Sequence, residues 1–168
     1  VPFELPDNLH PDCAPVAWLL GTWRGNGHLD YPTIEPHQFG QELVFAHDGR
    51  PFFHYFSRAW IIDEAGEKVR DAALETGFLR CRPEGRMELL LAHNTGFVEI
   101  WYGEAADGKL EIQTDAVART ESAKEYVAGH RLYGNVEGDL LYAFDMAAMG
   151  QALQPHTWAR LQRAPSHG

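Results

Sequence analysis

A chain of 168 residues is one domain's worth and long enough to bury a real core. Its 45% hydrophobic content and five tryptophans argue against a disordered segment. A formal net charge of -10, with no lysine or arginine cluster to offset it, argues against nucleic acid and membrane surfaces as partners, while leaving room for a small anion in a local pocket.

Residues 1–13 are proline-rich and acidic and read as an N-terminal arm without a signal-peptide pattern, so a cytoplasmic protein is expected. Residues 14–20, APVAWLL, suit about two turns of helix, with Asp12 as the cap, Pro15 in the first turn and Gly21 as the stop. Next comes GTWRGNGHLDYPTI. Gly21, Gly25 and Gly27 do not form a phosphate loop, because no strand precedes them and no long helix follows. Trp23 reads as an indole plugging a tight bend. Pro32 fixes the backbone beside Thr33, whose hydroxyl either lines a polar spot or stabilises the turn.

From there short β segments follow one another. Phe39, Gln41, Leu43 and Phe45 alternate with their neighbours; then come FFHYFSRAWII, ALETGFLRC, RMELLLA, FVEIWYG, KLEIQTDAVAR, KEYVAGHRLYG, LLYAFDMAA and a last run ending in TWARLQR. Glycine, aspartate and asparagine recur at the joints, where tight turns need them. The spacing predicts an all-β chain of about ten antiparallel strands in a meander over residues 14–163, with a tail at 164–168. Closure into a barrel removes both sheet edges, and a ten-stranded barrel leaves space for a ligand; a filled sandwich shares the same pattern.

Few residues advertise chemistry. HExxH, CxxC and GxSxG are absent, and Cys13 and Cys81 read as two free thiols too far apart in sequence for a disulfide framework. Glu42, Glu75, Glu88, Glu99 and Glu111 are spread along the strands as solvated faces would require. Lys124 beside Glu125 is either an exposed ion pair or a lysine at a pocket mouth meeting a cofactor carboxylate. Of nine histidines, His10, His37 and His167 read as surface, His47 and His93 as turn residues bonding their own loops, and His54 and His130 as strand residues. His156 follows Pro155, which removes an N–H and bends the chain. Alternation in TWARLQR places Thr157, Ala159 and Leu161 inward and would send His156 outward. It faces inward only if it precedes regular pairing or sits on a bulge.

At GTWRGNG, DYPTI, ELVFAHDGRPF, ETGFLR, ELLLAHNTGFVEI, AVARTESAKE, DMAAMGQALQPH and WARLQR the chain resembles the nitrobindins, in family order and spacing over nearly its whole length. The resemblance implies a closed antiparallel ten-stranded meander β-barrel with a short N-terminal helix and a b-type haem at its end, resting in the ferric state. It implies His156, in LQPH, as the iron ligand, with Thr33, Met146 and Lys124 as neighbours of the cofactor. A histidine that members carry just before ETG is replaced here by Ala72, Ala73 and Leu74, so the side opposite His156 is expected to be mostly apolar. The function implied is isomerisation of peroxynitrite to nitrate, with ferric iron as Lewis acid, together with nitric oxide binding. Peroxynitrite and nitric oxide are then the expected partners, and a homodimer is compatible with this. The rivals are a sensor without turnover and a carrier of hydrophobic ligands.

Overall fold

In the computed structural model, residues 3–165 are described; His167, expected on the surface, lies outside them. The ten strands are β1 (Gly21–Tyr31), β2 (Ile34–Ala46), β3 (Phe52–Ile62), β4 (Lys68–Cys81), β5 (Arg86–His93), β6 (Phe97–Ala106), β7 (Lys109–Arg119), β8 (Tyr126–Val136), β9 (Asp139–Ala148) and β10 (Gln154–Arg163). Each pairs antiparallel with its neighbours in sequence, and β10 returns to β1 to close the barrel. That last ladder, from Trp23↔Arg163 to Leu29↔Thr157, decides for barrel over sandwich. Among the described residues, no helix is long and apolar enough to cross a membrane.

The glycines of β1 make the closure tight. A Cβ on Gly25 would lie 2.5 Å from the Arg160 carbonyl oxygen, and one on Gly27 would lie 2.5 Å from both Trp158 O and the Phe39 ring. The GTWRGNG stretch therefore trades side chains for close approach of β10.

The meander gives the barrel two unlike ends. At one end lie the turns β2–β3, β4–β5, β6–β7 and β8–β9. A 3₁₀ helix, Pro11–Leu19, closes this end and buries Cys13, Val16, Ala17 and Leu19. It differs from the expected helix: its cap is His10, whose Nδ1 accepts from Asp12 N at 3.1 Å, rather than Asp12. Pro15 inside it has no N–H to give to an α-helical ladder, which favours the tighter, shorter form. Trp23, 1% exposed as the plug reading requires, donates from Nε1 to Leu19 O at 2.8 Å. Arg163, the last residue of β10, donates to Trp18 O at 2.8 Å and to Leu20 O, and its guanidinium covers the Trp23 ring at 4.2 Å. The final strand thus satisfies carbonyls that the helix end leaves open.

The middle of the barrel is filled. Trp23, Trp101, Phe53 and Tyr55 are almost wholly buried, and a void of about 10 Å³ remains among Phe45, Tyr55, Leu79, Leu89, Leu110 and Tyr133. This corrects the expectation that ten strands leave the interior too wide for side chains, because aromatic bulk takes up the extra girth.

At the other end, hereafter the mouth, lie the turns β1–β2, β3–β4, β5–β6, β7–β8 and β9–β10. Every register shift in the sheet falls in this half: at Leu29/Tyr31, Arg58/Trp60, Ile61/Ile62, Ile100/Trp101, Tyr126/Ala128 and Pro155/Thr157. Strand pairing also thins there. β7 pairs with β8 only from Lys109↔Gly134 to Gln113↔His130. Beyond that point Thr114 Oγ1 bridges the strands by accepting from Gly129 N at 2.9 Å.

Candidate functional site

His156 stands where the mouth is least regular. Pro155 pairs with Asp145 and Thr157 with Phe144, so His156 is the extra residue of a bulge. A bulge re-aims the side chain it carries without disturbing the alternation beyond it. Ala159 and Leu161 stay buried and Trp158 stays 41% exposed, while the His156 ring turns in among aromatic neighbours. It meets Tyr31 edge-on with centroids 5.5 Å apart and Phe144 at 5.7 Å and 75°.

The ring is also fixed in rotation. Nδ1 lies 3.2 Å from the Asp30 carbonyl oxygen, an acceptor only, so the proton sits on Nδ1 and Nε2 keeps its lone pair. Asp30 itself lies at the β1–β2 register shift between Leu29 and Tyr31. Burial lowers the His156 pKa below the usual imidazole value; the Asp30 hydrogen bond opposes this and the nearby Arg131 charge adds to it. The ring is thus a neutral base at neutral pH, the form that ligates metals, with its second nitrogen tied to a backbone carbonyl as in many metal-binding histidines.

Tyr31, Tyr126 and Ala148 form a small buried cluster here, separate from the main core, with Ile34, Phe97, Val117, Phe144 and Met146 packed against it. The Tyr31 hydroxyl accepts from Ala148 N at 2.9 Å and donates to Met146 O at 3.0 Å, which ties the end of β1 to the end of β9. The mouth therefore has an apolar wall, with Met146 in it. Thr33, in the β1–β2 turn, and Lys124, in the β7–β8 connection, are both exposed at the same end.

Beneath this wall lies a charged network the sequence reading missed. Arg131 grips Glu75 with two hydrogen bonds, at 2.7 and 2.9 Å, and Tyr55 donates to the same carboxylate at 2.6 Å. His93 Nδ1 is 3.4 Å from Glu75, while its Nε2 contacts Glu99. Tyr126 donates to Glu99 at 2.6 Å. The Arg131 guanidinium also lies over Phe144 at 4.6 Å and over Trp101 at 4.8 Å, and Phe144 touches His156 as well. Burial alone would raise the Glu75 pKa; the Arg131 charge and its hydrogen bonds overcome that and hold it down to about 2.

Glu75 and Glu99 are thus corrected from solvated faces to interior groups, and His93 from a turn residue to the link between them. Parity was the available signal. Glu75 shares its face of β4 with Leu79 and Cys81, His93 shares its face of β5 with Met87, Leu89 and Leu91, and Glu99 shares its face of β6 with Trp101, all buried. His47 does bond its own loop, accepting from Gly49 N at 3.2 Å. His54 is exposed on the outer wall against Phe78.

A cleft of about 510 Å³ also exists, but it lies along β1, β2 and the β3–β4 turn. Its wall includes the stacked, exposed pair His28 and Trp158. Those two side chains point outward, opposite to Leu161 and Trp23 on the same strands, so the cleft belongs to the outside of the barrel. It meets the His156 site only at Asp30. The free Nε2 and the apolar mouth, not this cleft, have the chemistry for a flat hydrophobic metal complex.

The chain is similar to several known proteins. Residues 12–163 match the family model described as the THAP4-like, heme-binding beta-barrel domain. The chain is 81% identical over 163 residues to a peroxynitrite isomerase of Nocardioides sp. (strain ATCC BAA-499 / JS614), covering 97% of this chain and 99% of that one. A ferric nitrobindin-like protein of Streptomyces griseus is 44% identical over 95% of this chain and 85% of its own length. The crystal structure of Rv2717c from M. tuberculosis superposes with a TM-score of 0.82 at 35% identity, covering 94% of this chain and 99% of that one.

Proposed function

From the premise that the chain belongs to the THAP4-like, haem-binding β-barrel family, the nitrobindins, we propose that it holds a b-type haem through His156 and isomerises peroxynitrite to nitrate. The observation that carries this reading is the bulge at His156, which turns a neutral imidazole with a free Nε2 into the aromatic mouth. When bound, ferric haem would supply a Lewis acid with one coordination position left for a small ligand.

The chain's own residues would do the rest. His156 would hold the metal, and Asp30 O, Tyr31 and Phe144 hold His156. Met146 and its apolar neighbours would keep water from the bound group. Lys124 would pair with a haem carboxylate at the rim, and Thr33 would present its hydroxyl there from the β1–β2 turn. No residue has to pass a proton to substrate, because peroxynitrite and nitrate are isomeric anions. That suits a mouth where Glu75 and Glu99 are already engaged by Arg131, His93 and tyrosines. The same site would bind nitric oxide.

Hemin added to the purified chain should give a ferric Soret band, and His156→Ala should abolish or shift it; an unchanged spectrum in the variant sinks the ligand assignment. Nitrate yield and peroxynitrite decay are then compared in wild type, His156→Ala and apoprotein. Turnover no faster than that of free haem would make the protein a nitric oxide sensor rather than an isomerase.

A further inference from the structure

Cys13 and Cys81, the chain's two cysteines, meet at the closed end of the barrel. Cys13 lies in the 3₁₀ helix and Cys81 ends β4. The short 3₁₀ turn Pro83–Gly85, just past Cys81, packs against that helix. Both residues are free thiols in the same apolar core, 0% and 2% exposed. The two thiols lie close enough to influence each other, a juxtaposition of distant segments that no sequence spacing reveals, while Cys81 Sγ donates to Leu79 O at 4.0 Å. Cys13 rides on the plug, whereas Cys81 is held in the sheet at the end of β4.

We propose that Cys13 and Cys81 are a redox pair that a small peroxide converts to a disulfide, stapling the helical plug to the barrel wall. Cys13, which moves with the plug, is the attacking group. Its thiolate sulfur bonds to a peroxide oxygen, the O–O bond breaks, and the departing oxygen leaves as an alcohol, water or nitrous acid according to the peroxide. Cys81 then attacks the Cys13 sulfur; the S–S bond forms, the S–O bond breaks, and the hydroxide leaves as water with the Cys81 proton. Two thiols lose two electrons and the peroxide gains them. Access comes from the plug. It is a single 3₁₀ helix fastened to the barrel by Trp23 and Arg163, so it can open locally while the sheet stays paired. Reclosing returns oxidised Cys13 to Cys81. The oxidant is hydrogen peroxide or, where the function above holds, peroxynitrous acid; the pair itself needs no haem.

The test treats the full chain as purified with hydrogen peroxide, then denatures it, alkylates free thiols and measures intact mass. The expected result is a monomer lacking two hydrogens, with neither cysteine alkylated, restored by dithiothreitol, and a linked Cys13–Cys81 peptide in a non-reducing digest. The oxidised chain should melt higher by roughly 5 °C or more. Cys13→Ser and Cys81→Ser should lose that shift, and a sulfenic-acid trap should label Cys13 in Cys81→Ser. Two alkylatable thiols after treatment, stable oxygen addition in the wild type, or disulfide-linked dimers instead of the internal link would overturn the proposal.

Discussion

Imidazole binds a metal only as the neutral base with one lone pair unengaged, and His156 satisfies both conditions through burial and the Asp30 carbonyl. If its role is ligation, what matters is the nitrogen rather than the side chain's bulk. His156→Gly should therefore lose the ferric Soret band of the hemin-loaded chain, and added free imidazole should restore it. Glu75 tests the network below. It is a buried partner of a buried cation, so Glu75→Gln strands the Arg131 charge and should cost about 3–5 kcal/mol in urea denaturation. Glu75→Leu with Arg131→Met removes both charges and should recover much of that loss. The pH dependence follows in sign. The Glu75 pKa is depressed in the folded chain, so its contribution is complete above its unfolded value near 4.5 and drains away as pH falls toward about 2. The wild type should show this acid limb, and the double variant should lack much of it. Glu75, His93 and Glu99 could have been placed by parity, yet charged residues on strands are usually solvated, and that expectation hid them. No property of a single residue revealed that Arg131 awaited Glu75 across the barrel.

At the scale of elements, alternation and turn residues made most of the strands legible, and the same logic failed at His156 for a definite reason. A period-two pattern presumes unbroken pairing, and a bulge is defined by the partner strand: here Asp145 and Phe144 of β9 bracket the unpaired residue. Pro155 was the one local hint. Every register shift lies toward the mouth, so the sheet is regular where it only packs and irregular where side chains must be re-aimed. The glycines of β1 show the opposite constraint. A methyl on Gly27 would meet β10 backbone and the Phe39 ring, so Gly27→Ala should cost on the order of 2 kcal/mol and weaken hemin retention by displacing β10. Gly134→Ala, with no atom of the described residues within 4 Å of the added carbon, should leave the urea midpoint nearly unchanged or raise it.

For the whole molecule, the strand count could not separate barrel from sandwich; the β1–β10 ladder does, and it depends on contacts no local pattern encodes. The net charge of -10 acts at this scale too. Anionic ligands approach a repelling surface, so their association with the hemin-loaded chain should speed up a few-fold as salt rises toward about 0.15 M, while that of neutral nitric oxide should not change; stopped-flow measurement of nitrite and nitric oxide distinguishes the two. Closure by β10 also sets an order of events. Every other ladder joins strands adjacent in the chain and can form as the chain emerges, but β1 must wait for β10. His156 lies on that last strand, and the Asp30 carbonyl that orients it lies on the first. During synthesis, then, the mouth acquires the nitrogen proposed to bind the metal only when the ring is completed, and a partly made chain would offer haem no oriented histidine to capture it.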